Sequence, residues 1–205
     1  MTVELTDEQE LLERSRRGDL EAFNAIVTAY QHRVYSLCLR MVGSTQAAED
    51  ATQDAFLSAF RSIDRHRGGS VKSWLFRIAS NTCIDELRRR KRRPQVSLDQ
   101  PAAGEDAERS MDVPDPEPGP EKRALQGELQ QALRDELLRL PPDQRLVVTL
   151  RDVEGLQYDE IAQIIDGSVG TVKSRISRGR ARMREALRGR PELFGDLVRH
   201  TSESK

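Results

Sequence analysis

The residues best placed to do chemistry lie between Leu156 and Leu187, in LQYDEIAQIIDGSVGTVKSRISRGRARMREAL. Here Lys173, Arg175, Arg178, Arg180, Arg182 and Arg184 crowd together with Glu185 as the sole acid beside them. Guanidinium groups at that density suit phosphate, and in a major groove they reach guanine edges bidentately. Thr171, Ser174 and Ser177 add small polar contacts. Val172, Ile176, Met183 and Leu187 fall 4, 7 and 4 residues apart, which puts them on one side of a helix and leaves the other to the cations. A merely solvated helix would interleave acids to gain opposite-charge pairs four residues apart, and this one does not.

Such a helix reads DNA when a second helix holds it at an angle. Ile161, Ala162, Ile164 and Ile165 form the apolar face of a short helix just before it, and Ala162 is small enough for a close crossing. Asp166-Gly167 supplies the turn, with glycine expected to take the positive φ, and Ser168 is the expected N-cap. The pattern is a helix-turn-helix.

A second basic segment lies earlier. Arg77, Asn81, Asp85 and Arg88, spaced 4, 4 and 3, share a helix side that runs into six consecutive cations, Arg88 to Arg93. Asparagine pairs with base edges and arginine with phosphate, and the preceding DRHRGGS brings Arg67 and two glycines for close backbone approach. Dipole complementation at a helix end would need only one or two cations. Trp74 reads as core, with a rim position leaving it open to stacking. Asp50 and Asp54 with Gln53 beside them make a surface of opposite sign. It points away from DNA and reads either as a protein-partner face or as plain solvated helix.

Composition frames these segments. In 205 residues, 37% are hydrophobic, 33% charged and only 4% aromatic, which favours helices over sheets. The net charge of -1 conceals strong segregation, since Pro94 to Lys122 holds eight acids against two bases. The expected fold is all-α, with two small helical domains, a bundle over 1–93 and a four-helix helix-turn-helix domain over 121–188. A flexible acidic linker over 94–120 holds six prolines, and 189–205 forms a short tail. Phe56, Leu57 and Phe60 are expected inside, Thr45 is expected to cap its helix, and helices are expected over 121–139, 142–153, 158–166 and 168–187. No apolar run approaches the roughly 20 residues that span a bilayer, and the acidic N-terminus is unlike a signal peptide, so a cytoplasmic protein is expected. Cys38 and Cys83 lack a CxxC partner and read as buried thiols. His32, His66 and His200 lie far apart, so no metal, cofactor or catalytic residue is expected.

With these segments in place the chain resembles the extracytoplasmic-function sigma factors, small two-domain members of the sigma-70 family of bacterial transcription initiation factors. The likeness is carried by AFNAIVTAYQHRVYSL, AEDATQDAFLSAFRSID and SWLFRIASNTCIDELRRRKRRP in the first half. LPPDQRLVVTLRDVEGLQYDEIA and GTVKSRISRGRARMREAL carry it in the second. The resemblance implies a non-catalytic subunit that binds RNA polymerase core through its β′ and β subunits, directs it to promoters, helps melt the DNA and leaves. It implies that Asp50, Gln53, Asp54 and Phe56 dock on the β′ coiled coil. Arg67, Lys72, Trp74, Arg77, Asn81 and Arg88 would hold the single-stranded -10 element with a flipped base. Thr171, Lys173, Ser174, Arg175, Arg178 and Arg182 would read the double-stranded -35 element. It also implies a linker threaded toward the polymerase active centre and a separate anti-sigma factor. The competing function is a stand-alone helix-turn-helix regulator acting without polymerase, which leaves the acidic face and the first basic segment unused. A helical-bundle enzyme would need converging acids or histidines, and none are spaced for it.

Overall fold

The computed structural model describes residues 5–66, 69–92 and 120–188, and among them the secondary structure is helical throughout. The expected linker and tail lie outside the described residues, as does Arg67. The first group comprises α1 (Leu5–Arg16), α2 (Leu20–Val42), α3 (Thr45–Ser62), a 3₁₀ turn at Ile63–Arg65, and α4 (Val71–Arg92). α2 starts at Asp19, whose carboxylate accepts the Ala22 N–H at 3.1 Å, and stops at Gly43 with φ +71°. The cap of α3 is Ser44 rather than the expected Thr45. Its hydroxyl accepts the Ala47 N–H at 3.5 Å, because the chain is still extended at Ser44.

α3 packs through alanines. Ala47, Ala48, Ala51, Ala55 and Ala59 are buried against α2 and α4, with Phe56 tucked in beside them. The expectation that Leu57 and Phe60 join the core is corrected, since they are 45% and 40% exposed. The alanine stripe occupies the inner side at helical spacing, so those two positions fall outward. Phe60 instead meets Phe23 edge-on, with centroids 5.1 Å apart. Cys38 and Cys83 are buried and unbridged.

The second group comprises α5 (Pro120–Arg139), α6 (Pro142–Val148), α7 (Tyr158–Ile164) and α8 (Val169–Arg188). The helix expected over 142–153 continues past Val148 as a widened π-helical turn, Thr149–Val153, in which Glu154 N–H bonds to the Thr149 carbonyl at 3.1 Å. The two groups pack on one another: α2 meets α5, α6 and the π turn, and α4 meets α7. Leu37, Met41 and Phe76 belong to one continuous core with Leu146, Leu150, Leu156 and Ile161. A Cβ on Gly43 would lie 3.0 Å from Leu138 Cδ2, so this glycine both ends α2 and admits α5.

Arg145 is the main polar tie at this junction. Its side chain is buried and donates to the carbonyls of Met41, Leu138 and Leu140, the last at 3.1 Å. Met41 and Leu138 lie in the last turns of α2 and α5, and Leu140 just past α5, where carbonyls lack partners within a helix. Burial pulls the guanidinium pKa below its ordinary value, but the residue still donates as a cation. Arg145→Met should therefore cost about 3 kcal/mol by stranding buried acceptors. Urea unfolding measures it, and an unchanged midpoint would show those carbonyls to be solvated.

Candidate nucleic-acid interface

α7 and α8 form the expected helix-turn-helix. α7 opens with the Gln157 N–H donating to Glu160 Oε2 at 2.8 Å, and closes with the Gly167 N–H donating to the Ala162 carbonyl at 2.9 Å. The left-handed residue of the turn is Asp166, φ +51°, not Gly167 as the sequence suggested. Aspartate tolerates that region, and a Cβ on Gly167 would lie 3.2 Å from Ile165 Cγ1, so the glycine supplies room instead. Ser168 caps α8 as expected, accepting the Thr171 N–H at 3.1 Å.

The inner side of α8 is Val172, Ile176 and Gly179, with Met183 packed on Leu137, Leu140 and Val148. Gly179 was missed by the sequence reading. A Cβ there would stand 2.7 Å from Val148 Cγ2, so α6 and α8 touch through a missing side chain. A glycine inside an otherwise strong helical pattern was the available signal.

Lys173, Ser174, Arg178 and Arg182 are exposed on the solvent side, with Thr171 half-buried at its edge. Arg178 lies along the helix and donates to the Ser174 carbonyl at 3.2 Å and hydroxyl at 3.3 Å. Arg175 stands apart from this set. It turns toward α6, where its guanidinium pairs with Asp143 at 3.2 Å. Arg180 is spent similarly on Asp152 of the π turn through two N–H groups, one at 3.0 Å, and that carboxylate raises its pKa. The acids that neutralise part of α8 thus come from other elements, where the spacing rule for one helix cannot see them. Lys173 Nζ lies 5.7 Å from the Tyr158 ring, which Arg151 meets at 4.9 Å.

On α4, Arg77, Asn81, Asp85 and Arg88 are exposed along one side as expected, with Arg88 donating to Asp85 at 3.2 Å. Trp74 heads the same side, half-buried, its ring 5.0 Å from that of His66 and edge-on. Lys72 does not join them. It lies on the opposite side, over Phe76, with Nζ donating to the Glu154 carbonyl at 2.9 Å. Asp50, Gln53 and Asp54 are exposed on α3, whereas Phe56 is buried. The apolar residue in line with them is Leu57, as spacing from Asp50 and Asp54 could have shown. Asp50, Asp54, Leu57 and Arg61 form one wall of a groove of about 810 Å³ that faces Asp85, Glu86 and Arg89 of α4. Among the described residues no group of three or more His, Cys, Asp or Glu side chains could hold a metal, and no helix is long and apolar enough to cross a membrane.

This is the arrangement of a two-part, all-helical DNA-binding protein. Residues 26–93 match the family model of sigma-70 region 2, and residues 130–183 that of sigma-70 region 4. The chain is 40% identical over 184 residues to the RNA polymerase sigma-H factor of Pseudomonas aeruginosa, covering 88% of this chain and 93% of that one. It is 42% identical over 181 residues to the ECF RNA polymerase sigma-E factor of Escherichia coli K12, with the same coverage. Its fold matches the sigma factor RpoE of Bartonella quintana, solved with the anti-sigma factor NepR, at TM-score 0.60 and 25% identity. That match covers 81% of this chain and 96% of the other. CnrH, solved with the cytosolic domain of CnrY, shares the fold at TM-score 0.65 and 22% identity, over 90% and 99%. The chain belongs to the extracytoplasmic-function group of the sigma-70 family.

Two measurements test the packing beneath the interface. Gly179→Val should lose about 2–3 kcal/mol through overpacking against Val148, read by chemical unfolding; wild-type stability would mean that α6 yields freely. His66 is buried, and burial together with the charge of Arg16 lowers its pKa. The unfolded chain then binds the proton more readily, so stability should fall as pH drops below about 6.5. Trp74 is the sole tryptophan, so its fluorescence should report the loss, and His66→Phe should flatten it. A pH-independent signal in the wild type would remove His66 from this role.

Proposed function

We propose that this alternative sigma factor divides promoter recognition between its two outward basic surfaces. It directs RNA polymerase core to promoters. The observation that carries the assignment is the helix-turn-helix whose second helix turns Lys173, Ser174, Arg178 and Arg182 to solvent. These four, with Thr171 at the edge, read the -35 duplex, while Arg175 braces α8 through Asp143. Arg77, Asn81 and Arg88 track the single-stranded -10 element beside Trp74, with Arg67 as a further contact. Asp50, Gln53 and Asp54 meet the β′ coiled coil, and Leu57 supplies the apolar contact that the buried Phe56 does not. The protein contributes specificity and strand capture, without a chemical step or cofactor of its own, and works with polymerase in the cytoplasm. A separate anti-sigma factor fits the pairing of RpoE with NepR in a structural relative.

Run-off transcription with purified core on a promoter library tests this. New starts sharing two spaced motifs are expected. Ser174→Ala with Arg178→Ala should lose about 1–3 kcal/mol of discrimination at the upstream motif. Asp50→Arg with Leu57→Ser should weaken core association and leave DNA contacts intact. Duplex binding without core, and no new starts, would favour a stand-alone regulator.

A further inference from the structure

We infer that a pocket between the last turns of α2 and α5 is a binding site for a small organic carboxylate, held at its charged end by Arg40 and Arg134. The site shares no residue with the surfaces assigned to promoter or polymerase core, so it stands or falls apart from those assignments.

The pocket has a volume of about 130 Å³. Leu39 of α2 lines it from one side and Leu137 and Leu138 of α5 from the other. Gly43 belongs to the same wall, and a Cβ there would press on Leu138 at 3.0 Å, so the glycine keeps this corner open.

Each helix also brings a guanidinium group to the pocket, and among the described residues the acceptors of both are neutral. Arg40 is half-buried, and only its Nη1 donates to protein, to the Ser36 carbonyl at 3.1 Å. Arg134 donates through Nη2 to Gln131 Oε1 at 3.1 Å. Burial pulls the Arg40 pKa below its ordinary value, and the like charge of Arg134 acts in the same direction. Glu154 opposes them, but its carboxylate is held by Arg33 at 3.0 Å. Asp135 also lines the pocket, with its Oδ1 accepting from Gln131 Nε2 at 2.9 Å, which leaves two cations there against one acid. A half-buried cation beside a second cation is relieved by an anion that meets both.

The lining selects the kind of anion. Inorganic phosphate would satisfy the guanidinium groups and leave the leucines against water. A carboxylate on a compact apolar body meets both requirements, because its two oxygens match the guanidinium fork and its body covers the leucines. An apolar cavity of about 150 Å³ admits benzene, so this pocket suits a short branched acid or a single-ring acid.

The test is a titration of the full chain with benzoate, followed through the methyl resonances of isotope-labelled leucine. Saturable shifts centred on Leu39, Leu137 and Leu138 are expected, with half-saturation at about 1 mM or below for a ligand of this size. Arg134→Met, at an exposed position, should weaken binding about tenfold, and Arg40→Met at least as much. Arg17→Met removes an exposed charge just past α1 and should leave binding unchanged. Inorganic phosphate should compete about tenfold more weakly than benzoate, since it buries no apolar surface. Circular dichroism establishes that each variant is folded, and Arg134→Met keeps the test decisive if Arg40→Met is not. Shifts that do not saturate, that spread over the molecule, or that persist at full strength in the folded arginine variants overturn the site. Phosphate binding as tight as that of benzoate overturns the carboxylate assignment.

Discussion

A charge taken out of water must be met by partners in fixed directions, and two such charges organise this molecule. Arg145 draws in the carbonyls at the ends of α2 and α5, where a helix leaves acceptors unmet. Glu154 is met by cations from α2 and α4. Apolar burial provides most of the driving force for association but is non-directional, and would tolerate many poses of one helical group on another. The buried charges narrow the choice, because displacing either element leaves a costly unpaired group. The position of the DNA-reading helix relative to the rest of the chain is therefore set by electrostatics that lie outside its DNA-facing surface.

Small residues decide how close the elements come. Gly43 admits Leu138, Gly179 admits Val148, and the alanine stripe of α3 brings α2 and α4 near. Close approach on the inside fixes what faces out. With Gly179 against α6, the rotation of α8 presents Ser174 and Arg178 to solvent, and Arg175 falls on the flank where Asp143 meets it. On α3 the same logic pushes Leu57 outward in line with the acids.

Periodicity made the helices legible, because apolar spacing is a local property of the chain. The boundaries of α5 and α8, the Ser168 cap and the exposed side of Arg77, Asn81 and Arg88 all followed from neighbours a few residues away. What escaped depended on contacts distant in sequence. Nothing near Arg175 announces Asp143, and nothing near Lys72 announces the carbonyl of Glu154, 82 residues on. The turn was placed correctly but given to the wrong residue, since Asp166 and Gly167 both suit it; Asp166 takes the positive φ, and Gly167 lies close to the Ile165 side chain. Leu57 and Phe60 were misassigned for a similar reason. Hydrophobicity alone places both inside, but the alanines had already taken the inner side.

The accounting of charge on α8 shows how one helix serves two purposes. Its cations share one sign, and a sequence reading counts them as one surface. The fold separates them by what stands opposite: Asp143 and Asp152 claim Arg175 and Arg180, and in doing so brace α8 against α6 and the π turn. Lys173, Arg178 and Arg182 are left on the solvent side of a helix whose orientation is already fixed, so under the proposed function less ordering entropy remains to be lost on contact with phosphate. Cations with internal partners give the outward ones a defined direction, and that direction separates a reading surface from diffuse basic charge.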